Sequence, residues 1–274
     1  MKQKEIIIEA GSAGSRYWRD LWNYRELFYF LAWRDILIRY KQTAIGIAWA
    51  ILRPLLTMIV FTIVFGKLAK LPSGNVPYPI LVFAAMLPWQ FFSNSLSECS
   101  NSLINNTNLI SKVYFPRLVI PTSSVIVSLV DFFLSSTILL GLMIWYDILP
   151  TWRFIVLLPL TILTFATAMG GGLIISALNV KYRDFRYVVP FIVQLGLYIS
   201  PVGFSSNIVP EKWRLLYSLN PMAGVIDGFR WAILGEENMI YLPGFFLSMV
   251  LVVIIFLFSI YFFRKTERTF ADII

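Results

Sequence analysis

Asn108-Leu-Ile-Ser-Lys-Val-Tyr-Phe-Pro-Arg117 separates two apolar stretches, 78–97 and 118–145. Each flank has the roughly 20 residues that an α-helix needs to cross about 30 Å of hydrocarbon. Reading the flanks as membrane spans decides the fold, because the ten residues between them then lie at a membrane surface. A loop that only returned the chain to the bilayer would need neither helical periodicity nor the paired rings Tyr114 and Phe115. The segment is amphipathic, carries Lys112 and Arg117, and is closed by Pro116. It reads as a docking element for something outside the membrane.

Composition supports the membrane reading. Of 274 residues, 58% are hydrophobic and 14% charged, with mean hydropathy +0.73, against roughly 45–50% apolar residues in soluble domains. The predicted fold class is all-α and integral to the membrane. Six transmembrane helices fall at 44–66, 78–97, 118–145, 154–178, 187–204 and 242–263. They form one domain, 44–264, between an N-terminal segment, 1–43, and a tail, 265–274. Residues 16–41 mix Trp18, Trp22, Phe28 and Trp33 with Arg19, Arg25, Arg34 and Arg39, the composition of an interfacial helix lying among headgroups. Only Ile6-Ile7-Ile8 is apolar near the start, too short for a cleaved signal, which needs about 7–15 such residues.

Six spans return both ends to one side. Sixteen of the 23 Lys and Arg fall on that side and six on the other, with Arg53 inside the first span. Positive charge marks the cytoplasmic face, so both termini are expected there. The net charge of +8 is thereby explained by topology, and nucleic acid is not implied.

The segment 205–241 is too apolar for a free loop and too broken by Pro210, Pro221 and Gly235 for two spans. It reads as short re-entrant helices on the outer side, either a lid over a pathway or simple packing. Within the third span Ser124, Ser128, Asp131 and Ser135 recur at helical spacing, so an ionisable group faces protein. Arg53 lies at comparable depth, and an Arg53–Asp131 intramembrane pair is expected; the alternative is Asp131 held by neighbouring hydroxyls. The aromatics Trp49, Phe61, Trp89, Phe92, Phe191 and Tyr198 either line a sugar pathway, stacking on C–H faces, or belong to the ordinary core.

Several chemistries are excluded. With no His and the single Cys99, there is no His-ligated metal site, Ser-His-Asp triad or internal disulfide. A phosphate-binding loop ending at Gly66-Lys67 would need Gly at 61 and Ser or Thr at 68, where Phe61 and Leu68 stand. Gly170-Gly171-Gly172 suits close helix packing or a flexible point. No catalytic residues are assigned. A membrane-embedded glycosyltransferase stays as an alternative from another class; it would need clustered carboxylates, whereas Asp147, Glu211, Asp227, Glu236 and Glu237 are scattered. A passive channel would need no docking segment.

Arg34-Asp35, Arg39-Tyr-Lys-Gln-Thr43 with Gly46, Phe65-Gly66, Pro88-Trp89, Asn108–Arg117, Ser176-Ala-Leu-Asn-Val180 with Tyr182-Arg-Asp184, Ser200-Pro-Val202 and Leu219-Asn-Pro-Met222 occur in an order that resembles the ABC-2 type permeases of polysaccharide exporters. The resemblance covers about residues 25–264 and is strongest toward the Wzm-type O-antigen exporter permeases, with teichoic-acid and capsule exporter permeases as relatives. It implies a homodimer in the bacterial cytoplasmic (inner) membrane bound to two copies of a separate Wzt-like cytoplasmic ATPase. ATP and magnesium would reside in that partner, with no cofactor in this chain. The implied substrate is a polyprenyl-pyrophosphate-linked polysaccharide.

Carried onto this chain, 103–115 is the coupling helix, with Lys112, Tyr114 and Phe115 nearest the ATPase. Arg34, Arg39 and Lys41, within the segment from Arg34 to Thr43, form the cytoplasmic substrate entrance, where a basic cluster attracts an anionic headgroup. The family often has a neutral polar residue where this chain has Arg53.

Overall fold

The computed structural model describes residues 17–41, 46–182, 184–235, 240–267 and 270. Expectations about 1–16, about Gln42 and Thr43 of the entrance, about Arg183, about 236–239 of the outer segment and about Arg268 and 271–274 of the tail lie outside the described residues. Among the described residues the chain is helical, with no strand. In order come α1 (Tyr17–Asn23), α2 (Arg25–Lys41), α3 (Gly46–Phe61, continued by a π-helix Thr62–Leu68), α4 (Tyr78–Asn105), α5 (Thr107–Lys112) and α6 (Val119–Trp145). After them come α7 (Leu157–Lys181), α8 (Phe185–Ile199), α9 (Glu211–Tyr217), α10 (Pro221–Leu234) and α11 (Leu242–Thr266).

Five helices among the described residues are long and apolar enough to cross a membrane: Ala48–Leu68, Tyr78–Asn105, Val119–Trp145, Trp152–Lys181 and Leu242–Thr266. The predicted span 187–204 differs. Its helix α8 has 15 residues, about 22 Å at 1.5 Å per residue, and stops short of the hydrocarbon thickness. Pro201 is the reason, since a proline disfavours the helical region for the residue before it; Ser200 is extended, with ψ 151°.

The second span exceeds its predicted end by two helical turns. Its polar extension stays helical because short side chains bond back to the helix's own carbonyls: Ser100 and Asn101 to Ser97 O, both at 2.9 Å, and Ser102 to Cys99 O at 2.7 Å. From α7, Asn179 donates to Ser100 O at 2.9 Å.

The helix α4 is the central column, touching α3, α6, α7, α8 and α10; α11 packs on the other side of α7, and α2 lies along α6. It is the least apolar of the five long helices and the most enclosed. Between helices in lipid no hydrophobic driving force operates, so close approach and dispersion must hold them together. Gly172 shows how close: a Cβ there would lie 2.6 Å from Cys99 Sγ. The glycine run is thus a packing seam.

One end of the bundle holds both described chain ends, where the Tyr17 hydroxyl donates to Glu267 Oε2 at 2.9 Å. There Leu103, Ile110, Phe115, Leu118, Leu173, Phe263 and Phe270 form one core. A second core, nearer the start of α4, gathers Phe83, Phe91, Phe132, Met222 and Phe229.

At that far end the segment after α8 is pinned by side chains. Arg230 of α10, 1% exposed, donates to Leu81 O at 3.2 Å, Phe204 O at 2.7 Å and Val202 O at 3.0 Å. Tyr78 donates to Gly203 O at 2.5 Å and Tyr217 to Ile199 O at 2.9 Å. The topological count placed Arg230 in an outer loop, but the structure makes it a core residue. Burial lowers its pKa to about 10, so it remains cationic at neutral pH.

Gly172→Val should melt the purified chain at markedly lower temperature, at a cost of about 1–3 kcal/mol for overpacking. Gly141→Ala, where an added Cβ meets nothing within 4 Å, should hold or raise the melting temperature.

Candidate transport path and coupling surface

A cavity of about 410 Å³ opens among α2, α3, α4, α6 and α8. Apolar walls come from Trp49, Met86, Trp89, Val193 and Leu197, and polar ones from Arg39, Tyr40, Arg53, Thr57, Gln90, Ser93, Asn94 and Asp131. Asp131 is placed here by the Ser124–Ser135 stripe, whose three serines are buried. Its partners differ from expectation. Arg39 Nη2 lies 3.2 Å from Asp131 Oδ2, and the Tyr40 hydroxyl donates to Oδ1. Arg53 lines the same cavity yet makes no ion pair among the described residues. The Arg53–Asp131 pair is therefore corrected to Arg39–Asp131: α2 packs along α6 and brings its last turn within reach, whereas Arg53 is an exposed residue of α3. Burial and the bond to Asp131 both push the Tyr40 hydroxyl's pKa up.

Arg39 also reaches Glu98 Oε1 at 3.6 Å and borders a second cavity of about 590 Å³ that Arg34 and Glu98 share. Of the predicted entrance residues, Arg34 is held by Asp35 at 2.8 Å and Asn106 at 2.9 Å, Arg39 joins the two cavities, and Lys41 is exposed beyond them.

The six aromatics divide into groups. Trp49 and Trp89 face the 410 Å³ cavity; Trp89, 5% exposed, sits beneath Gly196 of α8, where a Cβ would come within 2.7 Å of its ring. Phe92 packs on Trp89, their ring centroids 5.4 Å apart. Phe61 packs on Phe65 at 5.2 Å, and both rings lie close to Gly203 at the far end. Phe191 and Tyr198 are exposed on α8, away from that enclosure.

The docking segment is built from both faces of one short helix. Residues 103–105, predicted within it, complete α4, and α5 spans Thr107–Lys112. Ile110 and Phe115 are buried, each 2% exposed, whereas Lys112, Val113 and Tyr114 are exposed. Phe115 is thus corrected from a docking residue to a core residue: the chain turns at Pro116 and drives its ring into the core with Leu118 and Phe263. The remaining surface is held firmly. Arg117 donates to Ile110 O at 3.0 Å and Val113 O at 3.2 Å, closing the α5 C-terminus. The Arg117 amide donates to Glu267 Oε1 at 3.3 Å, and Tyr24 donates to Tyr114 O at 3.3 Å.

Sequence reasoning missed Glu98, Glu267 and Arg230 as structural partners. The available signal was an Asp227–Arg230 pair three residues apart in an otherwise apolar helix, α10. Asp227 lines a far-end cavity of about 240 Å³ with Arg214, Tyr217 and Tyr241. Burial pushes its carboxyl up from the ordinary 3.8 to about 6, opposed by the Ser206 hydroxyl and Arg230.

The family model described as ABC-2 type transporter matches residues 26–234. The O-antigen export system permease protein RfbA of Myxococcus xanthus is 34% identical over 218 residues, covering 77% of this chain and 82% of that one. A Klebsiella pneumoniae protein of the same name is 28% identical over 252 residues, covering 88% of this chain and 92% of its own. The capsule polysaccharide export inner-membrane protein CtrC of Neisseria meningitidis is 22% identical over 234 residues, covering 83% and 86%.

Phe115→Ala should destabilise the purified chain by about 3–5 kcal/mol, as expected for a deleted core ring, and Tyr114→Ala by under about 0.5 kcal/mol; thermal melts compare them. For Asp227 the folded pKa of about 6 lies above the ordinary 3.8, so the folded state keeps a proton that the unfolded chain releases. Stability should fall as pH rises from about 4 to about 6. Asp227→Asn should flatten that slope in melts across the same range, recovering at most about 3 kcal/mol.

Proposed function

Because the chain belongs to the ABC-2 type transporter family, we propose that it is the membrane subunit of an ATP-driven exporter. Its cargo is a lipid-linked polysaccharide, O-antigen, moved across the bacterial cytoplasmic membrane. One observation carries the mechanism: an exposed Lys112–Tyr114 surface is braced against the turn between α1 and α2 and against the end of α11, in a chain whose sequence has no phosphate loop of its own. A braced surface passes an external push into the helices; a floppy loop would absorb it. Two copies of a cytoplasmic ATPase dock there, and ATP and magnesium belong to that partner. Their closure shifts the helices and opens the path for the carrier-linked glycan.

Six crossings fit this reading. The two ends of the described helical bundle meet at Tyr17 and Glu267, and five traverses would leave them at opposite ends. The short α8 and the pinned turn after it supply the sixth, with α9 and α10 as the outer re-entrant elements. Both termini are then cytoplasmic, and residues 44–264 form the transport domain. A second copy of the chain completes the channel. Inside the membrane, Arg53 of α3 and Gln194 of α8 are exposed beside Trp49, Phe191 and Tyr198, and lipid is a poor neighbour for such polar groups. The six aromatics serve the glycan path, and Arg34, Arg39 and Lys41 its cytoplasmic mouth. The likeness to CtrC supports capsule polysaccharide as the second reading.

Reconstitution with the ATPase encoded beside it should give ATP-dependent movement of lipid-linked glycan, abolished without the ATPase. Tyr114→Ala should weaken ATPase retention about tenfold while the fold survives. Transport that persists without the ATPase, or no ATPase binding at all, would overturn the reading.

A further inference from the structure

The cavity of about 240 Å³ at the far end is walled by α9, α10 and the start of α11. Ten of the 14 residues of α10 are buried, whereas no residue of α9 is, so α10 is the inner wall and α9 the exposed one. Each brings one charge to the cavity, Asp227 from α10 and Arg214 from α9. Opposite charges in so small a space would ordinarily pair, yet neither has an ion-pair partner among the described residues. Arg214 is turned to backbone, donating to Val209 O at 3.1 Å and to Asn207 O at 3.4 Å. Asp227 has the Ser206 hydroxyl, and the nearby Arg230 is engaged by three carbonyls. A desolvated carboxylate without its own cation is unfavourable, which is why burial lifts its pKa to about 6; at neutral pH most of it is still ionised. The cavity therefore holds an anion and a cation apart, the complement of a ligand that carries both.

Its place says where such a ligand comes from. The helix α11, whose first residues line the cavity, is long and apolar enough to cross a membrane, so in a bilayer its start lies at the depth of the lipid headgroups. Next to the lining residues, Trp213 and Leu216 of α9 and Leu242 and Phe246 of α11 are exposed and suit acyl chains. The rings of Tyr217 and Tyr241 face the same space, and an aromatic face attracts an ammonium. The volume is below the roughly 300–1,000 Å³ of sites that enclose a whole small molecule, and it suits a head group whose tails stay outside.

We propose that this cavity binds the zwitterionic head of phosphatidylethanolamine, with the ammonium at Asp227 and the phosphate at Arg214. A primary ammonium donates hydrogen bonds to the carboxylate, which the trimethylammonium of phosphatidylcholine cannot do. The glycerol head of phosphatidylglycerol brings no cation for Asp227 at all. Two of the five guanidinium donors of Arg214 go to carbonyls, and the rest suit phosphate oxygens. A lipid so held joins α9, α10 and α11, and the site is independent of what the chain transports.

The test uses the full chain in detergent micelles and phosphatidylethanolamine labelled on an acyl chain. Saturable binding is expected, displaced by unlabelled phosphatidylethanolamine about tenfold more effectively than by phosphatidylcholine or phosphatidylglycerol. Asp227→Asn should weaken binding about tenfold and erase the preference over phosphatidylglycerol, and Arg214→Gln should weaken it to a similar degree. If Arg214→Gln melts early without lipid, Tyr241→Leu, at an exposed ring of the cavity, takes its place and should weaken binding severalfold. Displacement by free phosphoethanolamine as readily as by the lipid would support the head chemistry and assign the site to a soluble ligand. Equal displacement by phosphatidylcholine or phosphatidylglycerol, or unchanged binding in Asp227→Asn, would overturn the proposal.

Discussion

A backbone carbonyl cannot be left bare where water is scarce, and the far end of this bundle is organised around that constraint. Pro201 stops α8 at Ile199 and leaves a run of carbonyls without helical partners. Side chains from other elements take them: Tyr217 bonds Ile199 O, Arg230 bonds Val202 O and Phe204 O, and Tyr78 bonds Gly203 O. An arginine suits the task because its several donors diverge in a fixed plane and satisfy separate carbonyls at once. The position of α10 follows, since Arg230 must reach both the broken turn and Leu81 of the central helix. So does the enclosure of α10 among α4, α7 and α11.

The opposite end solves a mechanical problem with the same chemistry. The helix α5 is only six residues long and is marginal by itself. Its rigidity is borrowed: Arg117 closes its last carbonyls, Glu267 holds the Arg117 amide, and Arg34 reaches Asn106 at its entry. The guanidinium of Arg264 lies 4.5 Å from the Tyr17 ring centroid and adds a cation–π contact beside the Tyr17–Glu267 bond. Segments more than a hundred residues apart in sequence are thus tied together at this end. Between the two ends, Arg39 and Asp131 tie the surface helix α2 to the membrane helix α6.

Some of this was legible in advance. The second, third, fourth and sixth predicted spans begin within two residues of the observed long helices, because membrane length and apolarity are properties of a window of sequence. The failures share a cause. Residues 98–105 look like loop until Ser100, Asn101 and Ser102 are seen bonding to their own helix. Phe115 looks like half of an exposed pair until Pro116 turns it inward. Arg53 and Arg39 are both basic residues within reach of the membrane, and nothing in their spacing says which one α6 will meet.

By itself the sequence determined the membrane class, the long helices and the buried serine stripe that carries Asp131. Each depends on composition or on a helical period, which neighbours along the chain set together. Tertiary structure decided the partner of Asp131, the burial of Arg230 and Phe115, and the brace of Glu267 beneath α5. These are choices among chemically equivalent side chains, and distance in space makes them: an ion pair or hydrogen bond forms with the group that packing brings within about 3 Å.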